Sequence, residues 1–321
     1  MPRVTVVMPA YNASATIGGA IASAVGQTYR DLELVVVDDG SSDATGAIAQ
    51  AHGDRVRMVR QENRGVAAAR NRGVAEASGE LIAFCDADDF LFDRHLEELV
   101  AVYDAAPSPT VATANAYWLM PGGIRKGHLR HKAFPPPERQ RMAILEQNFV
   151  SVMSLFPRTL AAEIGPFDDE LRRAEDWDFW MRAVFAGYRV AHQPKPLALY
   201  RWGATGLSAG PESMDAAARA VLERAAKTLD LSTEERAFVE RALAGPGART
   251  LSREGDRALA EGRYRDAARL WGEAAAVCPS ETPLVRKARL MRTAAPVVGP
   301  LLRLRQRRED EALGVDERFQ R

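Results

Sequence analysis

Val4 to Met8 is an unbroken run of apolar and β-branched residues closed by Pro9. Without the alternation of polar and apolar positions that a half-exposed strand shows, it predicts a parallel strand buried on both faces. Tyr11, Asn12 and Ser14 follow as turn and cap residues, and Ile17, Ala20, Ile21, Ala24 and Val25 then recur at helical spacing. The unit repeats. Leu32 to Val37 predicts a second strand closed by Asp38-Asp39-Gly40-Ser41-Ser42-Asp43, with a helix over Ala44 to Ala51. Val56 to Val59 predicts a third strand, followed by an Ala-rich helix from Gly65 to Ala77 with Gly79 beyond its end as a C-cap. Leu81 to Phe84 is the fourth strand, and it runs into Asp86, Asp88 and Asp89. Strand and helix alternating in this way is the pattern of a doubly wound parallel sheet.

Further along, Leu96, Leu99, Val100 and Tyr103 mark another helix and Thr110 to Trp118 another extended stretch. The glycines, basic residues and Pro135-Pro136-Pro137 of Gly122 to Pro137 predict a mobile loop beside a crevice. Val152 to Phe156 reads as a strand. Trp177, Trp180, Met181, Val184 and Phe185 fall on one helix face, which puts Glu175 and Asp176 at that helix's N-terminus. Tyr188 to His192 and Leu197 to Trp202 read as closing strands, and the first domain is expected to end near Pro211. It spans 1–211, with halves of about 1–118 and 119–211. Residues 212–321, rich in Ala, Arg and Glu, predict an α-helical C-terminal extension. Within it, residues 255–279 resemble one tetratricopeptide unit. A single copy cannot stack into a solenoid, so it is expected to be a packing hairpin.

Composition narrows the class. With 46% hydrophobic and 27% charged residues the 321-residue chain is ordinary globular protein, and 43 basic against 43 acidic residues give no global field toward nucleic acid. Cys85 and Cys278 make no disulfide framework, which fits a reducing cytoplasm. The N-terminus enters a strand without the apolar region of a signal peptide, and no apolar run approaches the roughly 18 to 20 residues that cross a bilayer. Near the C-terminus, Arg286-Lys-Ala-Arg-Leu-Met-Arg292 and Leu301-Leu-Arg-Leu-Arg-Gln-Arg-Arg308 alternate basic and apolar residues. Two readings stay open for 286–308: peripheral docking on anionic lipid, or a basic helix packed on one side and solvated on the other.

In an open α/β sheet, ligands bind at the carboxyl ends of the strands, where the acidic turns fall. Asp86, Asp88 and Asp89 together need a compensating cation, for which a divalent metal holding a diphosphate is one reading; a solvated turn with Asp89 or Asp93 capping the next helix is the other. Asp39 is either part of a helix cap or the acceptor for the ring N–H of a uracil or thymine. Arg64, Arg70 and Arg72 form a solvated face, or Arg70, set in a close-packing alanine run, faces a nucleotide. Asp176 is either a charge favoured by the helix dipole or a general base, with Glu175 as a helper that raises its pKa or binds the acceptor.

Taken in order, Pro9-Ala-Tyr11-Asn12, Val37-Asp38-Asp39-Gly-Ser-Ser-Asp43, Asn63-Arg-Gly-Val-Ala-Ala-Ala-Arg70-Asn71, Phe84-Cys-Asp86-Ala-Asp88-Asp89, Gly165-Pro-Phe167-Asp168 and Glu175-Asp176-Trp-Asp178 resemble the family 2 inverting glycosyltransferases over about the first two thirds of the chain. The resemblance implies a GT-A (Rossmann-like) α/β fold: a mostly parallel sheet with helices on both faces. It implies that Pro9, Tyr11, Asn12 and Asp39 hold the nucleoside, that Arg70 lies near the base or diphosphate, and that Asp86 also belongs to the nucleotide-sugar site. Asp86 and Asp88 become the metal-binding DxD pair for Mn2+ or Mg2+, and Asp176 the base. The closing stretch Tyr200-Arg201-Trp202 lacks the His many members carry, which leaves Arg201 as the candidate there. The expected activity is metal-dependent, inverting transfer of a sugar from a UDP-sugar to a glycan or lipid-linked hydroxyl, in cell-surface polysaccharide synthesis. The expected location is the cytoplasm or the inner face of the cell membrane. The alternative is a non-catalytic nucleotide-binding or scaffold protein that uses its helical C-terminal region to bind a partner.

Overall fold

The computed structural model describes residues 1–120, 122–128, 134–202, 211–279 and 282–312. Its elements run β1 (Val4–Ala10), α1 (Ile17–Val25), β2 (Leu32–Asp38), α2 (Thr45–Gln50), β3 (Arg57–Arg60), α3 (Val66–Glu76), β4 (Leu81–Phe84), β5 (Phe90–Leu91), α4 (His95–Ala105), β6 (Thr110–Met120), β7 (Gly123–His128), α5 (Gln140–Glu146), β8 (Leu155–Pro157), α6 (Leu160–Ile164), α7 (Glu175–Phe185) and β9 (Arg189–Arg201). Then come α8 (Pro211–Thr228), α9 (Thr233–Leu243), α10 (Ala248–Ala260), α11 (Tyr264–Val277) and α12 (Thr282–Ala312).

The strands form one mixed sheet in the order β3-β2-β1-β4-β8-β6-β9-β5, with β7 beside β6. The α/β expectation holds, and its parallel core is β3-β2-β1-β4. Because these strands run the same way, the carboxyl ends of β1, β2 and β4 open at one edge. Neighbouring strands lie about 4.8 Å apart, so the loops after them are within reach of one ligand. β8 joins antiparallel to β4, and β6 with β9 extends the sheet beyond it. Val4 to Met8 are buried throughout, as a strand covered on both faces requires.

The alanine run of α3 is explained by its seat. A Cβ on Gly73 would lie 2.1 Å from Val7 Cγ1, so the helix lies flush on β1 only with glycine there. Ala69 meets Val35 and Val37 of β2 on the same face. This close approach sets Arg70, one turn earlier, deep under the sheet edge.

Three expectations need correction. Pro9 does not end its strand: β1 continues to Ala10, and Pro9 pairs with Val37 of β2 beyond the last β1–β4 rung at Val7–Phe84, where its missing N–H breaks no ladder to β4. Gly122 to Pro137 is not all loop, because Gly123–His128 forms a hairpin strand against β6 around Gly123 (φ 114°); residues 129–133 lie outside the described part. The two closing strands are one, β9, whose pairing with β6 shifts register between Ala114 and Tyr117 and so carries Pro194 and Pro196.

The chain divides into two compact units: Met1–Ser208 with Lys227–Asp230, and Ala209–Ala226 with Leu231–Arg321. In the second, α10 and α11 form the hairpin read from 255–279. A Cβ on Gly255 would meet the Trp271 ring at 2.6 Å, and Ala258, Leu259, Ala267, Leu270 and Ala274 fill the contact. Leu284, Ala288 and Met291 of α12 close the same core. Among the described residues no helix is long and apolar enough to cross a membrane.

Candidate active site

The turns after β1 and β2 are stitched together by side chains of both. Ser41 Oγ accepts from the Asn12 N–H at 3.0 Å, Thr45 Oγ1 from Ala13 at 2.7 Å, and Asp43 Oδ2 from Ser14 at 3.0 Å. Asn12, at φ 47°, accepts on Oδ1 from the Ser42 N–H at 2.9 Å, so its side chain is committed to the loop. Pro9 is buried in the strand, whereas Tyr11, just after it, is 54% exposed. Asp39 is buried, and its carboxylate organises the chain that leads into α3. Oδ1 accepts from Gln61 Nε2 at 2.7 Å and from the Arg64 N–H at 3.0 Å, and Oδ2 from the Gly65 N–H at 2.8 Å. These bonds leave Oδ2 one lone-pair direction.

Arg70 is the hub. Its side chain is 3% exposed, and Nη2 donates to both oxygens of Asp86 at 2.9 and 3.1 Å while Nη1 donates to Glu175 at 2.5 Å. The guanidinium lies 5.6 Å over the Phe84 ring and 5.8 Å over that of Phe167. Burial works against its charge, but Asp86, Glu175 and Asp176 together outweigh it and raise its pKa. Three carboxylates from two ends of the fold therefore converge on one cation, which a short acidic motif alone does not disclose.

Asp88 is exposed at residue level, yet its carboxyl is pushed up to about 6 by partial burial and by the Asp86 charge. Asp89 is buried. Burial, then Asp86 and Asp88, push it well above the usual carboxylate range, although its Oδ1 accepts from the Arg201 N–H at 2.8 Å. Arg201 Nε also donates to the Asp88 carbonyl at 2.8 Å, so the end of β9 clamps the acidic turn. Asp89 is thus neither a solvated turn residue nor a helix cap.

Asp176 sits in the first turn of α7, after Ala174 in a left-handed conformation (φ 57°) that a non-glycine residue adopts only at some strain. Its Oδ2 accepts from Asn148 Nδ2 at 2.9 Å. Glu175 is turned the other way, 8% exposed and held on Arg70. The helix is pinned from outside. Asp178 Oδ2 accepts from Arg182 Nε at 2.8 Å, while Arg182 also donates to the carbonyls of Ile164, Gly165 and Pro166. Asn71 exchanges two 2.8 Å hydrogen bonds with the backbone of Phe167, whose ring stacks on Phe179 at 4.0 Å. Asn148, Arg182 and the Asn71–Phe167 exchange were not assigned from sequence; only the pairing of amide and backbone in three dimensions reveals them.

Among the described residues no three Asp, Glu, His or Cys side chains form a ready metal cage. Two carboxylates just beyond the carboxyl end of β4, Asp88 exposed and Asp86 with 25% of its side chain accessible, still fit Mg2+ or Mn2+, since Mg2+ usually takes one or two carboxylates and completes its shell with substrate phosphates and water. A cation beside Asp88 and Asp86 would also relieve the repulsion that raises Asp88. A separate depression of about 400 Å³, lined by Pro137, Gln140, Arg141, Val184, Tyr188 and Arg189, shares no residue with this cluster.

The model of the family described as Glycosyl transferase family 2 matches residues 5–165. An uncharacterized glycosyltransferase of Rickettsia typhi is 28% identical over 188 residues, which are 56% of this chain and 58% of that protein. The putative glycosyltransferase EpsH of Bacillus subtilis is 28% identical over 209 residues, 62% of this chain and 61% of its own. The match thus spans less than two thirds of these curated relatives. Among solved structures, S. aureus TarS 1-349 in complex with UDP-GlcNAc superposes with a TM-score of 0.60 at 18% identity, covering 91% of each chain. The mannosyltransferase PcManGT of Pyrobaculum calidifontis, in complex with GDP-Man and Mn2+, gives 0.59 at 22% identity over 94% of this chain and 87% of its own. At these identities the likeness is one of fold.

Proposed function

The chain belongs to glycosyl transferase family 2, and we propose that it is an inverting enzyme that moves a sugar from a UDP-sugar to a hydroxyl of a glycan or glycolipid in cell-surface polysaccharide synthesis. The observation that carries this reading is the Arg70 guanidinium, which joins Asp86 at the end of β4 to Glu175 at the start of α7. Donor-side and acceptor-side carboxylates are thereby held at a fixed separation, as a single displacement requires. On this reading residues 1–211 are the catalytic domain and 212–321 a helical extension.

In the reaction, a carboxylate oxygen of Asp176 takes the proton of the acceptor hydroxyl as that oxygen attacks the anomeric carbon from the side opposite the diphosphate. The bond from that carbon to the diphosphate oxygen breaks, the electron pair leaves with the phosphate, and configuration inverts. Glu175 and Asp86 neutralise Arg70, and their shared grip keeps Asp176 and the acidic turn in register. Tyr11 and the backbone near Pro9 line the nucleoside, and Asn12 shapes that wall through Ser42. The remaining lone pair of Asp39 faces the ring N–H of the base. Asp88 and Asp86 would hold Mn2+ or Mg2+, which when bound supplies Lewis-acid stabilisation of the departing diphosphate.

Support for the donor class comes from the neighbours in complex with UDP-GlcNAc and with GDP-Man and Mn2+. Thermal unfolding of the full chain with UDP-sugars and GDP-sugars, with and without Mn2+, tests it, because a ligand that binds only the folded state raises the melting point. A shift from UDP-sugars that needs Mn2+ supports the reading; a response to GDP-sugars alone, or to no nucleotide sugar, overturns it.

The reading includes peripheral contact with an anionic membrane through 286–308, which carries eight basic residues and no acidic one in a chain of zero net charge. On α12, Leu290, Leu301 and Leu304 are exposed, as are Arg286, Arg289 and Arg292. Such a face suits the boundary of headgroup and acyl chain. Flotation with phosphatidylglycerol-containing vesicles tests it, and equal partitioning of wild type and Leu301→Glu/Leu304→Glu overturns it.

A further inference from the structure

We infer that Asn148 is a positioning residue for Asp176, fixing the plane and lowering the proton affinity of the carboxylate that takes the acceptor's proton. The inference rests on the reading of Asp176 as base. Asn148 follows α5 and precedes the buried Phe149 and Val150. Its Nδ2 donates to Asp176 Oδ2 at 2.9 Å and its Oδ1 accepts from the Val150 N–H at 3.1 Å. The second bond decides the orientation of the amide. A backbone N–H can face only the carbonyl end, so the NH2 end must face the carboxylate.

The two segments are also tied independently of this bond. Trp177 Nε1 donates to the Ile144 carbonyl in the last turn of α5 at 2.6 Å, which keeps the start of α7 and the Asn148 strand of chain at constant distance. On its other oxygen Asp176 accepts from the Trp177 N–H at 2.8 Å. With a donor held on each oxygen, rotation of the carboxylate about its χ2 torsion is restrained. The Arg70 charge, shared with Glu175 and Asp86, also bears on Asp176 and is the same in each Asn148 variant. Beside it, a hydrogen bond to the ionised form stabilises that form, so Asn148 keeps Asp176 deprotonated to lower pH than the same group without the amide.

The test is the pH profile of kcat/KM for Asn148→Ala and Asn148→Asp in the full chain, with Asp176→Asn alongside and donor affinity and thermal unfolding measured for each. With Asn148→Ala, the acidic limb is expected to move about one pH unit upward and kcat to fall by roughly ten- to a hundredfold, while donor affinity stays at the wild-type value. Asn148→Asp keeps the shape of the side chain but puts a second carboxylate beside the base, so the limb moves further up, since two adjacent carboxyls retain one proton. An acidic limb at the wild-type position in both variants, whatever the rate, overturns the inference while leaving the base in place. Wild-type activity in Asp176→Asn overturns the base itself and the inference with it.

Discussion

Arg70 Nη1 and Glu175 Oε1 lie 2.5 Å apart although 105 residues separate them in the chain. Neither side chain is more than 8% exposed. Such a pair is costly to bury and costlier to break, because removing the cation strands a carboxylate in low dielectric. Arg70→Met is expected to lower unfolding free energy by about 3 to 5 kcal/mol, read by urea denaturation. Arg70→Lys, a point charge where a fork serves Asp86 and Glu175 at once, is expected to fold better than Arg70→Met while activity falls about a hundredfold.

The flush seat of α3 makes a second prediction. A methyl at position 73 collides with Val7 at 2.1 Å, so Gly73→Ala is expected to cost about 1 to 3 kcal/mol by overpacking. Gly73→Ala/Val7→Ala relieves the collision. A double-mutant cycle in denaturant should therefore show the pair costing less than the sum of the single changes.

Asp88 offers a trade of stability against function. Its folded-state pKa is raised from 3.8 to about 6 by partial burial and Asp86, so the native state binds more protons than the unfolded chain between those values. Stability falls as pH rises through that window, and the whole penalty is present at neutral pH. Asp88→Asn removes it. Solvent at the carboxylate reduces the gain to about 1 kcal/mol, an increase in melting temperature of about 2 to 4 °C without metal. The same variant should lose the further Mn2+-dependent shift seen with a nucleotide sugar.

His95 sets an acid limit in the opposite direction. It is 1% exposed, with Nδ1 3.1 Å from the Leu197 carbonyl and Nε2 3.1 Å from that of Met153. A neutral ring can donate to only one of them. Burial is the largest influence and lowers its pKa from 6.5 to about 4. The unfolded chain therefore takes the proton first, and this contribution to stability, complete above pH 6.5, is lost as pH falls toward 4. The loss approaches about 3 kcal/mol. His95→Gln should flatten stability against pH between 4 and 6.5 relative to wild type.

The parallel core of the sheet was readable because Val4 to Met8 is a continuous apolar and β-branched run and Leu81 to Phe84 is apolar throughout, a pattern that suits a doubly covered strand. The N-terminal placement of Glu175 and Asp176 followed from the helical spacing of Trp177, Trp180, Met181 and Val184. The hairpin at Gly123–His128 was hidden by glycine and lysine, which carry no period of their own and pair only because β6 offers an edge. The continuity of β9 was masked by Pro194 and Pro196, which local rules assign to a break and a register shift in the pairing absorbs. Asn148 had no local signal: one amide in a loop gains its role only when α7 arrives beside it.

The most direct measurement is the rate of UDP release from a panel of UDP-sugars by the full chain with Mn2+, comparing wild type with Asp176→Asn and recording UDP affinity for both. The account predicts metal-dependent release by wild type and a loss of at least about a hundredfold in the variant at unchanged UDP affinity. Equal rates in the two proteins, or no release from any UDP-sugar, would contradict it.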